Sequence, residues 1–314
     1  MLLLHGPNSG KLGTCLSQLY HEHKKGVNAG YAKFETFPVW NLSLLDPVNI
    51  AYEAATADLM DVNMVDPFHL EAYGEYAVNY NRDISTFPIL KNILLKITGE
   101  EIYKSPTDMG VNMIKQCITN PDIIKESAIN EIIRRYYNIL CDYKQNICDE
   151  DVVQHEKSLM DKLELTLEDR KIAKIANQEA IEKNTNVFAI ELNNGKIITG
   201  KESKILSCAS AAFLNAIKEI TGIPDQEYLL SPTVLDGIYE MKKKTSYNTS
   251  YFLDLPEVLI TLSICSVTNP IIKKAINKLE ELRNCDAHVS YIIEKGELNA
   301  LKNLGINVTC EPKM

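Results

Sequence analysis

The opening eleven residues, Met1-Leu2-Leu3-Leu4-His5-Gly6-Pro7-Asn8-Ser9-Gly10-Lys11, constrain this chain more than any other stretch. An apolar run leads into a glycine turn, then a lysine, then a segment with helical periodicity. Glycines let successive backbone N–H groups turn toward an anion, and a helix N-terminus adds partial positive charge. Lys11 adds a full one. That order points to a loop that cradles phosphate through Gly6, Asn8, Ser9, Gly10, Lys11 and Thr14. A P-loop reads G-x-x-x-x-G-K-[ST], the hydroxyl serving Mg²⁺. Here Gly6 to Gly10 is one residue short and Leu12 follows the lysine, so Thr14 is the nearest helical hydroxyl. The plain alternative is a turn joining a buried strand to a helix, with Lys11 in solvent.

Composition narrows the classes. A chain of 314 residues, 45% hydrophobic and 24% charged, is an ordinary globular protein with room for two or three domains. Its net charge of −9 weighs against nucleic-acid and anionic-membrane partners, both of which need a basic surface. No apolar run approaches a membrane span, and Leu2 to Leu4 are too few for a secretory signal. The eight cysteines (15, 117, 141, 148, 208, 265, 285 and 310) form no C-x-x-C pair. Reduced thiols and a cytoplasmic location are expected.

Local signals divide the remainder. Leu12, Cys15, Leu16, Leu19 and Tyr20 lie on one helical face, with Gly26 as a stop. Residues 29–37 alternate and are aromatic-rich, which predicts a strand ended by Pro38. Asp46-Pro47 and Asp66-Pro67 each place a cap before a first-turn proline. The first should open a helix to about Leu59 and the second a short helix closed by Gly74. A longer helix over 84–97 is interrupted or begun at Pro88. Residues 1–105 therefore read as an α/β domain with a strand–glycine turn–helix layer.

From 106 to 184 no strand is expected. Thr107 is a cap, Asn120-Pro121 starts a long helix, and Thr166-Leu-Glu-Asp169 is a capping-box variant. This is a helical subdomain. Residues 185–314 read as an α+β domain. Its hairpin is 187–192 and 196–199 about Asn193-Asn194-Gly195. Helices are predicted at about 207–221, 232–244, 257–267, 270–283 and 297–304, and strands at 287–293 and 306–310.

Chemistry-bearing side chains concentrate between 54 and 73. Asp58, Asp61 and Asp66 are oxygen ligands suited to Mg²⁺, with Asp66 or His69 as general acid or base. The alternative is solvated helix-end charges and a cap. Arg82 and Lys104 are candidate clamps for phosphate oxygens, Arg82 bidentately. Asp83 and Thr107 are better read as caps. Cys285, His288 and Cys310 are of types suited to zinc but lack a fourth partner in sequence.

Several long stretches together resemble one bacterial family, catalogued as domain of unknown function eighteen-forty-six. They include Gly-Pro-Asn-Ser-Gly-Lys at 6–11, Ala-Gly-Tyr-Ala-Lys-Phe-Glu-Thr-Phe-Pro at 29–38 and Val-Asp-Pro-Phe-His-Leu-Glu-Ala-Tyr-Gly at 65–74. Ser-Pro-Thr-Asp-Met-Gly-Val-Asn-Met at 105–113 and Glu-Ile-Ile-Arg-Arg-Tyr-Tyr at 131–137 continue the likeness, which runs to the C-terminus. The family's loop looks like Gly-Pro-Gly-Ser-Gly-Lys, so Asn8 stands where it has a glycine, and Asn tolerates positive φ better than most residues. The resemblance implies an α/β segment preceding the loop. This chain is therefore expected to be a C-terminal portion with that N-terminal segment absent, leaving an apolar edge at Leu2 to Leu4. Homo-oligomers, or pairing with a separately encoded N-terminal half, would follow. The resemblance implies no reaction.

Three functions remain in play. The first is a protein that binds a nucleotide or phosphorylated metabolite, with Mg²⁺, as a phosphate-handling transferase or hydrolase. The second is a non-catalytic assembly protein. The third is a zinc enzyme using His69, Cys285, His288 or Cys310.

Overall fold

The computed structural model describes residues 10–34, 38–245 and 252–313. Among them the fold is mixed α/β, with twelve α-helices and two small sheets. The chain divides into two compact units, Met1–Arg135 with Gln154–Glu164, and Tyr136–Val153 with Leu165–Met314.

The first unit begins with α1 (Lys11–Lys24), whose inner positions Leu16 and Leu19 join a core of Phe87, Leu94 and Met109. Helix α2 (Pro47–Ala54) starts at Asp46, whose carboxylate accepts from Val48 N. It stops short of Leu59, which belongs to a separate 3-10 turn. Strand β1 (Asn63–Val65) pairs antiparallel with β2 (Val78–Tyr80), and α3 (Pro67–Tyr73) lies between them in sequence, closed by left-handed Gly74. Helix α4 (Asn81–Thr98) carries Pro88 inside it, so the proline neither begins nor ends the helix. Helices α5 (Pro121–Lys144) and α6 (Glu150–Lys162) follow.

The strand expected over 29–37 is not formed by 29–34, and 35–37 lie outside the described residues. The reason is a different set of hydrogen-bond partners. Tyr31 N donates to the Tyr103 hydroxyl at 2.7 Å, that hydroxyl donates to Tyr31 O, and Lys33 N donates to Met109 O at 2.9 Å. A side chain and a loop thus replace a neighbouring strand. Leu2 to Leu4, expected to supply the strand before α1, also lie outside the described residues.

In the second unit α7 (Lys171–Lys183) follows the Thr166–Asp169 capping box, and left-handed Asn184 ends it. Strands β3 (Val187–Glu191) and β4 (Ile197–Lys201) form the expected hairpin, with Gly195 at φ +80°. Helices α8 (Cys208–Thr221), α9 (Pro232–Thr245), α10 (Leu255–Ser266) and α11 (Pro270–Ile276) come next. Strand β5 (Asp286–Val289), α12 (Lys295–Asn303) and β6 (Asn307–Cys310) complete it. The sheet order is β4-β3-β5-β6, antiparallel except for β5 with β6.

Successive residues of a strand point to opposite faces, and β3 uses both. Phe188 and Ile190 join the core with Ala212, Phe213 and Ala216 of α8, while Ala189 packs with Ile172 and Ala176 of α7. Burying each large apolar side chain contributes about 1.5–3 kcal/mol.

Candidate functional site

Helix α1 opens on Gly10, which sits in the left-handed region at φ 71°, ψ 19°. Among the described residues no side chain caps the helix, and no acid stands in its first turn. The four first-turn N–H groups of a helix have no intrahelical acceptor, so this end favours an anion. Lys11 is exposed, and Thr14 Oγ1 donates to Gly10 O at 3.1 Å. Gly6, Asn8 and Ser9 lie outside the described residues.

Cationic groups gather near the start of α4. Lys33 pairs with Asp83, and Arg82 Nη2 donates to Asp61 Oδ2 at 2.6 Å. Asp83 is therefore an ion-pair partner and not the cap of α4, a place held by Tyr80. Burial pushes the Asp61 carboxyl above its usual range, and the Arg82 charge pulls it back in part. The Tyr31 phenol, raised by burial, feels Lys33, Cys15 and Asp83 together. The second turn of α1 and the first turn of α4 thus address one ring.

A second polar group surrounds α3. Asp66 is wholly buried and caps that helix, its Oδ1 accepting from Phe68 N at 3.0 Å and His69 N at 3.1 Å. Its Oδ2 accepts from Thr107 Oγ1 at 2.6 Å. Thr107 is therefore not a helix cap. Ser105 holds that position over the 3-10 turn Pro106–Met109, in a capping box with Asp108. His69 Nδ1 lies 3.0 Å from Ser105 Oγ and 3.8 Å from Asp108 Oδ1. In a nucleophilic triad the carboxylate orients the imidazole through the nitrogen opposite the serine. Here serine and carboxylate share one nitrogen, so the arrangement is a structural clasp.

The proposed metal ligands do not converge. Both oxygens of Asp66 are occupied, Asp61 faces Arg82, and Asp58 is exposed. Among the described residues no three His, Cys, Asp or Glu side chains form a group that could hold a metal ion. Lys104 Nζ lies 5.7 Å from the Tyr73 ring centroid. His288 and Cys310 face opposite sides of the sheet, since Cys310 is level with Val289 and joins the core that His288 faces away from. His288 instead approaches Thr309 Oγ1 at 2.8 Å and Glu311 Oε2 at 3.5 Å.

One cluster has no counterpart in the sequence reading. Glu53 of α2 is 1% exposed and Glu156 of α6 is 0% exposed. Glu53 accepts from Asn63 N at 3.1 Å and from Lys162 Nζ at 3.3 Å. Among the described residues neither oxygen of Glu156 has a hydrogen-bond partner. The legible signal was spacing: Val153, Glu156, Leu159 and Met160 form one buried helical stripe with an acid inside it.

The family model described as "Domain of unknown function DUF1846, N-terminal" matches residues 2–164. The one described as "Domain of unknown function DUF1846, C-terminal" matches 168–314. The expectation of a C-terminal portion lacking the N-terminal part is thereby corrected, because matches to both parts cover nearly the whole chain. A "UPF0371 protein" of Clostridium tetani is 49% identical over 317 residues, spanning 98% of this chain and 63% of the relative. A relative of the same description from Clostridioides difficile is also 49% identical over the same shares. One from Fusobacterium nucleatum is 49% identical over 319 residues. The chain thus spans 63% of the length of these curated relatives. With the two family models matched over residues 2–164 and 168–314, the chain belongs to the DUF1846 family, and it is similar to bacterial proteins described as UPF0371.

Proposed function

We propose that the first unit binds a small phosphorylated ligand, a nucleotide or phosphorylated metabolite, at the N-terminus of α1. The supporting observation is a fourteen-residue helix that opens on a left-handed glycine, with no side-chain cap among the described residues, no first-turn acid and an exposed Lys11. Phosphate oxygens would accept from the first-turn amides while Lys11 neutralises charge. A Mg²⁺ ion would ride on the ligand's own phosphate oxygens, in keeping with the few protein carboxylates such ions usually take. Asp66 and His69 hold α3 to the 105–108 turn, so binding without group transfer is the function this geometry favours.

The test is thermal unfolding of wild type and Lys11→Ala with nucleotides and phosphorylated metabolites, with and without Mg²⁺. A ligand at about a hundred times its Kd stabilises the native state by about 2.7 kcal/mol. For a unit of this size that is a shift of several degrees. A shift that Lys11→Ala loses supports the site. Equal shifts in both proteins would place the ligand elsewhere.

A further inference from the structure

A pocket of about 230 Å³ opens in the first unit, walled by the start of α2, the 3-10 turn Ile114–Cys117 and the start of α5. Its apolar lining is Leu42, Val48, Ile118, Pro121 and Ile124. Leu42, Val48 and Ile118 are only half-buried and Ile124 is 39% exposed, so part of this wall stays in contact with water. Covering such surface is favourable.

Three charged residues stand in the same lining, Asp46, Lys115 and Lys125. Asp46 is engaged: its Oδ1 accepts from Val48 N at 3.0 Å, and the positive end of α2 offsets its charge. Lys115 Nζ donates to Asn41 O at 2.7 Å, which positions the ammonium and leaves two of its three N–H groups for another acceptor. Lys125, in the second turn of α5, is exposed. Among the described residues neither lysine has a carboxylate partner. An apolar wall is thus bordered by two cations that no protein acid neutralises.

We propose that this pocket binds a free apolar carboxylate, its chain against Leu42, Val48, Ile118 and Ile124 and its carboxylate held by Lys115 and Lys125.

Other chemistries lose one half of this match. A cation is repelled by the two ammonium groups, a neutral chain leaves them without a counter-charge, and a bare inorganic anion leaves the wall wet. Size selects within the class. An apolar cavity of about 150 Å³ holds benzene, so 230 Å³ in proportion holds about nine carbon-sized atoms. That is a short chain or a single substituted ring. None of the lining residues belongs to α1, so this site is separate from the helix end that takes phosphate.

The test is isothermal titration of the full chain with the straight-chain carboxylates from butanoate to dodecanoate, and with octanol and octylamine. Affinity is expected to rise about fourfold for each added methylene and to level off once the pocket is full. The double variant Lys115→Met, Lys125→Met keeps both apolar stems and removes both charges. It should bind octanoate about tenfold more weakly or worse, since a hydrogen bond to a charged group is worth about 1.5–3 kcal/mol, while octanol binding stays as it was. Ile124→Glu, at a partly exposed position, sets a negative charge in the lining and should weaken octanoate further than octanol. Octanoate that gives no binding, that binds the double variant as tightly as the wild type, or that binds no better than octylamine would overturn the proposal.

Discussion

Thr107 Oγ1 donates to Asp66 Oδ2 at 2.6 Å, and the two residues stand 41 positions apart in the chain. The same carboxylate caps α3 through its other oxygen. One buried acid therefore both starts a helix and fastens it to the 105–108 turn. Thr107→Val keeps the volume and removes the donor, leaving Oδ2 with only the Thr107 N–H at 3.4 Å. Stranding a buried acceptor costs about 1–3 kcal/mol. Melting followed by circular dichroism should fall by several degrees. Asp66→Ala should fall further, since it also removes the cap, worth about 1 kcal/mol. A Thr107→Val protein that melts like wild type would show the hydrogen bond contributes nothing net.

Gly200 of β4 lies where a methyl group has no room. A Cβ there would stand 2.0 Å from Ala212 N and 2.6 Å from Ala212 Cα, both backbone atoms of α8. No side chain can swing aside, so α8 must move off the strand. Gly200→Ala should cost at least the 1–3 kcal/mol typical of overpacking. Urea unfolding should show a lowered midpoint with an unchanged slope. Gly237, inside α9 with nothing within 4 Å of its Cβ position, is the control. Alanine there should be neutral or stabilising by about 0.5–1 kcal/mol.

What the sequence made legible is what neighbours in the chain decide. Asp46-Pro47, Asp66-Pro67, Gly74, Thr166 to Asp169 and Asn193-Asn194-Gly195 each act within a few residues, and each appears where expected. The 29–34 segment misled because its alternation suits a strand, whereas its hydrogen bonds run to Tyr103, 72 positions away. Strands β1 and β2, three residues each, are too short to carry a period. The second oxygen of Asp66 and the pairing of Arg82 with Asp61 depend on long-range contacts that no spacing encodes. For the same reason nothing in the sequence singled out Glu156, one acid of a charged helix. Only its register with Val153 and Leu159 marks it as buried.

Acid should destabilise the second unit through two groups on one face of the larger sheet. His288 is fully buried between Thr309 Oγ1 and Glu311 Oε2, and Glu311 also accepts from Asn177 Nδ2 at 2.7 Å. Burial holds the imidazole below its ordinary 6.5. The His288 ring, whose Nε2 lies 3.5 Å away, is the main cause holding Glu311 below its ordinary 4.5. An unfolded histidine takes its proton near 6.5 while the folded one resists, so the unfolded state binds more protons as pH falls below that value. Stability present above 6.5 is therefore lost on the way down. Glu311 acts in the same sense but later: its contribution is whole above 4.5 and disappears as pH drops through its lowered folded value. The contributions of these two groups should thus be lost in two stages, the first beginning near pH 6.5 and the second below 4.5. Guanidinium unfolding at pH 7.5, 6.0, 5.0 and 4.0 resolves them. His288→Gln removes the titrating ring while retaining an amide that can bond Thr309, so from pH 7.5 to 5.0 it should lack the His288 share of the wild type's pH dependence and keep the shares of other buried groups such as His155 and Glu156. A wild type with the same pH dependence as the variant over that interval would mean that the buried imidazole is protonated as readily as a free one, and the burial argument for this face of the sheet would be lost.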